Sequence, residues 1–122
     1  MQLTIDRAWI LEIIQQRLHD APDITDWGSI GAAVARHSDT IMDEPVYTAP
    51  HHRAAALFQS LLRIPALEHS NEILALSVAF GFLQLCGMTA KVSTEAAGDL
   101  VDQTLSGTAD VRQIAATLKS WT

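Results

Sequence analysis

Thiol chemistry is almost missing from this chain: Cys86 is its single cysteine in 122 residues. A lone thiol excludes an intramolecular disulfide and a cysteine-based structural zinc site. It also suits a reducing compartment. Lysine is nearly as scarce. Lys91 and Lys119 stand beside six arginines scattered from Arg7 to Arg112, and the net charge is −6. Nucleic-acid binders carry a clustered basic footprint, so neither DNA nor RNA is an expected partner. A local basic patch made by the fold stays open. No long hydrophobic run is present either. The most apolar segment, Ile73 to Met88, is short for a bilayer and contains Gln84. Asp6, Arg7 and Glu12 interrupt the apolar residues near the start, so no signal peptide is expected. These absences point to a cytoplasmic protein off the membrane. Nor is there a repeat, a P-loop, a dinucleotide fingerprint or a defensible Ser-His-Asp or Cys-His-Asp pattern.

What is present is a globular composition. Apolar residues make up 48% and charged residues 18%, which excludes intrinsic disorder. The length suits one domain, residues 1–122, with a core that needs no metal or disulfide staple.

Helical periodicity dominates. Ile10, Ile13, Ile14 and Leu18 form one stripe over Thr4 to His19, with Asp6 near its start and Pro22 beyond its end. A second helix fits Asp26 to His37. Ser38 to Pro50 reads as an irregular loop with a short extended piece, Pro45 to Thr48. A third helix starts after Pro50, runs to about Arg63 and stops before Pro65, because proline disfavours helical geometry at Ile64. The fourth, about Asn71 to Cys86, is apolar nearly all round, which marks a central helix wrapped by the others. Met88 to Val92 is read as extended. A fifth helix fits Thr94 to Leu105, closed by Gly107. A sixth fits Val111 to Trp121, with Asp110 and Gln113 as a capping box. The expectation is an all-α fold of about six helices around a central apolar helix.

Residues with chemistry gather between the third and fourth helices. His69, with Glu68 and Glu72, is the concentrated titratable cluster; it reads either as a catalytic group or as a solvated helix start. His51 and His52 suggest a metal pair with His37 or His69, but adjacent helical residues point apart, so surface residues are the plainer reading and no metal is expected. Tyr47 is either a peptide-docking residue or a cover for the core. Asn71 either holds its loop or caps the fourth helix, and the cap is the simpler role. Cys86 reads as a small buried hydrophobe. Of Trp9, Trp27 and Trp121, the terminal Trp121 is the one expected to be partly exposed and available as a partner anchor.

The order of these parts resembles the Fic/Doc superfamily, and within it the short death-on-curing (Doc-type) toxins. The likeness spans almost the whole chain. It rests on a loop carrying Tyr47, the helix His51-His52-Arg53-Ala54-Ala55-Ala56-Leu57, an apolar helix ending Leu85-Cys86-Gly87, and a closing helix pair joined at Leu105-Ser106-Gly107. The family signature, H-x-[FL]-x-D-[GA]-N-K-R, falls on Pro65 to Ile73. Leu67 and Asn71 match it. Pro65 stands at the catalytic histidine, His69 at the magnesium-binding acid, and Ser70 at the small residue. Glu72 and Ile73 replace the basic pair.

The resemblance implies a transferase moving phosphate or a nucleotide from ATP, with magnesium, onto a protein hydroxyl such as that of elongation factor Tu. It implies an antitoxin partner and a target-docking flap at Tyr47. The departures imply the loss of that chemistry. Proline cannot act as a base. Histidine is a poor magnesium ligand. Glu72 sets a negative charge where phosphate would sit, a repulsion of roughly 1–4 kcal/mol at intermediate dielectric. The leading expectation is a degenerate Doc-type protein with no cofactor. Leu67, His69, Ser70 and Asn71 would form a vestigial anion loop, and the protein would bind an antitoxin-like partner or a former toxin target. The alternative is an active enzyme with rearranged residues, using His69 and Glu68 or Glu72. A purely structural subunit is a third reading, with the oligomeric state open.

Overall fold

The computed structural model describes residues 3–122. Six helices follow one another: α1 (Arg7–Arg17), α2 (Trp27–His37), α3 (Pro50–Arg63), α4 (Asn71–Leu85), α5 (Thr94–Ser106) and α6 (Val111–Ser120). Between α2 and α3 lies a small antiparallel hairpin of β1 (Thr40–Ile41) and β2 (Glu44–Pro45), pairing Thr40 with Pro45 and Ile41 with Glu44. The fold is all-α, as the periodicity predicts.

The helix ends follow local chemistry. Asp6 lies before α1 rather than inside it; its carboxylate accepts from Trp9 N at 2.9 Å. The chain then leaves α1 at Leu18 through left-handed Asp20 and Ala21, so α1 is shorter than its apolar stripe suggests. Asp26 caps α2, and Ser93 caps α5. The expected capping box at α6 is complete: Asp110 Oδ1 accepts from Gln113 N at 2.9 Å, and Asp110 N donates to Gln113 Oε1 at 2.8 Å. Each such cap contributes about 1 kcal/mol. Gly107 ends α5 at a left-handed φ of 80°, as expected of a helix stop.

Two expectations change. The extended piece between α2 and α3 falls at Thr40–Pro45, not Pro45 to Thr48, because the chain reverses through Met42 and Asp43, both at positive φ. Met88 to Val92 forms no strand; within it Lys91 N donates to Trp121 O at 2.8 Å, which ties the segment to the C-terminal turn.

The most enclosed helix is α3, not the more apolar α4. Every residue of α3 from Arg53 to Leu62 is buried, and α2, α4, α5 and α6 pack around it. Its Ala54-Ala55-Ala56 run has small side chains that let neighbours approach from several sides. By contrast, α4 packs mainly on α3 and α1 and leaves Ile73 and Leu85 half exposed. Hydropathy finds apolar helices, while enclosure depends on which helix the others fit around. The contiguous core includes Ile10, Ile30, Leu57, Phe58, Leu74, Phe82, Ile114 and Leu118, each large side chain contributing roughly 1.5–3 kcal/mol by burial. Gly81 lets α1 close on α4: a Cβ there would lie 3.1 Å from the Trp9 ring.

No described helix is long and apolar enough to cross a membrane.

Candidate functional site

The loop from Ile64 to Ser70 joins α3 to α4, and it is held by backbone chemistry on both sides. The segment before α2 runs antiparallel to it, with Ile24 opposite Leu67. Ala66 O accepts from Thr25 N at 2.8 Å and from Asp26 N at 3.1 Å, and Glu68 N donates to Asp23 O at 3.0 Å. Glu68 Oε1 accepts from Asp23 N at 3.2 Å. Ser29 Oγ donates to Ile64 O.

Asn71 closes the loop from the other side. Its Oδ1 accepts from Ala66 N at 3.1 Å and Leu67 N at 3.0 Å, and its Nδ2 donates to Leu67 O at 3.0 Å. Asn71 is therefore a loop staple at the first position of α4, not the cap. Ser70 precedes the helix at a left-handed φ of 66° and makes no side-chain cap. A non-glycine residue there is strained.

The side chains facing solvent differ in kind. Pro65, Glu68, His69, Glu72 and Ile73 are all exposed. His69 Nδ1 lies 2.8 Å from Ser70 Oγ, and its Nε2 is 3.7 Å from Glu68 Oε1. Glu72 makes no ion pair among the described residues. Leu67, in contrast, is buried in the core. Leu67, Glu68, His69, Ser70, Asn71 and Glu72 are thus contiguous in one loop and helix start. Tyr47 is placed elsewhere, half-buried beside α2, with the Arg36 guanidinium 5.9 Å above its ring. Arg36 Nη1 also donates to Ser60 Oγ at 3.3 Å.

The histidines part company. His51 Nε2 meets Thr122 Oγ1 at 3.0 Å at the C-terminal end. Its imidazole is held below the ordinary histidine value by burial and by the charges of Lys119 and His52. His37 is buried: its Nδ1–H donates to Val34 O, and its Nε2 accepts from Ile5 N at 3.1 Å. That pattern fixes one neutral tautomer. Burial pushes its titration down, the Val34 bond opposes the shift, and Arg53 lowers it further. Among the described residues no three His, Cys, Asp or Glu side chains gather as a metal-binding group.

Arg53, 3% exposed, lies beneath this region. Its Nε donates to His37 O at 3.2 Å, its guanidinium sits 5.4 Å from the Phe82 ring centre, and Nη2 has no hydrogen-bond partner. Burial lowers its titration, while nearby Cys86 raises it. Cys86 is partly buried at the end of α4, and burial pushes its thiol up. Trp121 packs edge-on against Phe80, centroids 6.1 Å apart, and Trp27 is the exposed tryptophan at 55%. Trp121 is partly exposed, as expected, but Lys91 and Phe80 hold it in place and Trp27 is the more exposed. Sequence reasoning missed the Asp23–Asp26 clamp, whose only signal is one Pro-Asp stop after α1, and the buried His37–Arg53 pair, which carries no sequence signal.

No family model matches the chain. Toxin Doc of Mycolicibacterium smegmatis is 35% identical to it over 97 residues, which cover 78% of this chain and 75% of that protein. With that identity over most of both chains, this protein belongs to the Doc toxin family.

Proposed function

We propose that this Doc-family protein works by binding another protein within a toxin–antitoxin setting, and that it does not transfer phosphate or nucleotide. One observation carries the reading. The two signature positions it retains are those that hold the loop: Leu67 plugs the core, and Asn71 staples the backbone. Of the positions it has changed, Pro65, His69, Glu72 and Ile73 face solvent, where a nucleotide would have to be met, and Ser70 is half-buried. On this reading the residues that hold the loop are retained and those on its solvent face are replaced.

Magnesium and ATP do not fit the residues present. The exposed end of α4 has Glu72 and Ile73 where phosphate needs cations. The group at the metal position is the imidazole of His69, turned to Ser70 and Glu68, whereas magnesium takes oxygen ligands. A partner of antitoxin type, or a protein once modified by the ancestral toxin, suits the family context.

The proximity of His69 to Glu68 favours a second reading, an enzyme with His69 as base. Incubating the wild type and His69→Ala with labelled ATP, magnesium and elongation factor Tu separates the two. The binding reading expects no label on protein from either. Label from the wild type that His69→Ala abolishes would overturn it.

A further inference from the structure

The fold gathers basic side chains that are scattered in the sequence. Three adjoining clefts, of about 610, 540 and 220 Å³, run along one side of α3. The first two share Arg36 and Gln59, and the last two share His52 and Arg112, so they form one groove. It begins at Lys119, passes Arg112 and Arg36, and ends at Arg63 and Ile64, where the signature loop starts. From His52 to Arg63 the α3 wall spans eleven helical steps, about 17 Å, room for roughly five extended residues.

Charge in this groove is the reverse of the chain's. Four of the eight Lys and Arg residues line it, with His51 and His52, but only one of the fourteen carboxylates. That carboxylate, Asp110, is engaged in the capping box. Arg36, Arg63, Arg112 and Lys119 make no ion pair among the described residues. Arg36 is already set in place by Ser60 and Tyr47. A protein of net charge −6 that leaves four cations unpaired along one groove has a surface complementary to an anion. Val46, Val111 and Ile64 add apolar contact between the charges.

We infer that the groove along α3, from Lys119 through Arg112 and Arg36 to Arg63, docks an extended acidic segment of a partner protein, in which carboxylates alternate with small or apolar residues. The proposal rests on the reading of this protein as a binding module and specifies the chemistry of its partner. A nucleic acid fits less well. Its backbone charges are dense, and the acidic remainder of the chain repels them. The groove's aromatic, Tyr47, already has Arg36 over its ring, so no free platform for base stacking is offered.

The test uses the intact protein and a fluorescein-labelled peptide of about ten residues, with Glu alternating with Val and Ser. A counterpart with Gln for every Glu, a single-stranded oligo-dT and ATP complete the set. Anisotropy is read at low and high salt. The proposal expects saturable binding of the acidic peptide, weakened by salt. It expects binding about tenfold or more weaker for the Gln peptide, and for the double variant Arg63→Glu/Arg112→Glu. Both arginines are exposed, so the fold is kept and circular dichroism checks it. The control pair Arg17→Glu/Lys91→Glu, outside the groove, is expected to bind as the wild type does. Equal binding of both peptides, an unaffected groove variant, or no peptide binding would overturn the groove assignment. Tighter binding of oligo-dT than of the acidic peptide would overturn it in favour of nucleic acid. None of these results depends on the ATP-labelling assay, so the groove and the non-transferase reading fail separately.

Discussion

Replacing Asn71 by alanine removes three hydrogen bonds in one step. The amides of Ala66 and Leu67 lose their shared acceptor, and the Leu67 carbonyl loses its donor. Ala66 and Leu67 are buried residues, so water cannot fully replace the lost partner. Each bond contributes about 1 kcal/mol net. The better helix propensity of alanine at the first position of α4 returns about 0.5 kcal/mol. The balance is a loss of about 2.5 kcal/mol, or roughly 7–13 °C in Tm for a chain of this size. Urea unfolding followed by tryptophan fluorescence measures the loss, and amide exchange localises it. The Ala66 and Leu67 amides are expected to lose protection well before those of α3. Asn71→Asp is the informative companion: it keeps an acceptor but sets a carboxylate against the Leu67 carbonyl, so it is expected to recover only part of the loss. If Asn71→Ala costs less than about 1 kcal/mol and those amides stay protected, the side chain does not staple the loop and the reasoning fails.

Three further outcomes follow from the same structure. His37 is neutral when folded and its titration lies below the unfolded value, so its contribution to stability is complete above about pH 6.5 and falls as the pH drops, by at most about 1.4 kcal/mol per pH unit. Unfolding curves between about pH 6.5 and 5 test this; His37→Phe should flatten that dependence, and an unchanged slope would rule His37 out. Ser70→Gly relieves the left-handed φ of 66° and is expected to raise stability by about 0.5–1 kcal/mol in urea unfolding; a loss would mean that the Ser70–His69 contact outweighs the strain. Gly81→Ala drives a methyl group to 3.1 Å from the Trp9 ring and is expected to cost about 1–3 kcal/mol, with a shift in tryptophan emission as the readout.

The helices were legible because their signals are local. Pro65 stopping α3, Gly107 stopping α5, and Asp110 with Gln113 capping α6 all act within a turn of where they sit. What escaped was decided by partners far away in the chain. The enclosure of α3 depends on four other helices. The burial of His37 depends on Ile5, 32 positions earlier. The candidate loop could be read for the same reason. A contiguous signature loop can be laid on a sequence directly, whereas Arg36, Arg63, Arg112 and Lys119 come together only when α2, α3 and α6 pack.

Calorimetric titration of the wild-type protein with ATP and magnesium, up to millimolar nucleotide, tests the central claim most directly. The account predicts no saturable heat, because on the proposed reading Glu72 and Ile73, both exposed at the start of α4, offer no cation to phosphate and His69 takes the place of a magnesium ligand. Clear one-to-one binding would contradict it, and would mean that the loop stapled by Asn71 still cradles a nucleotide through its backbone alone.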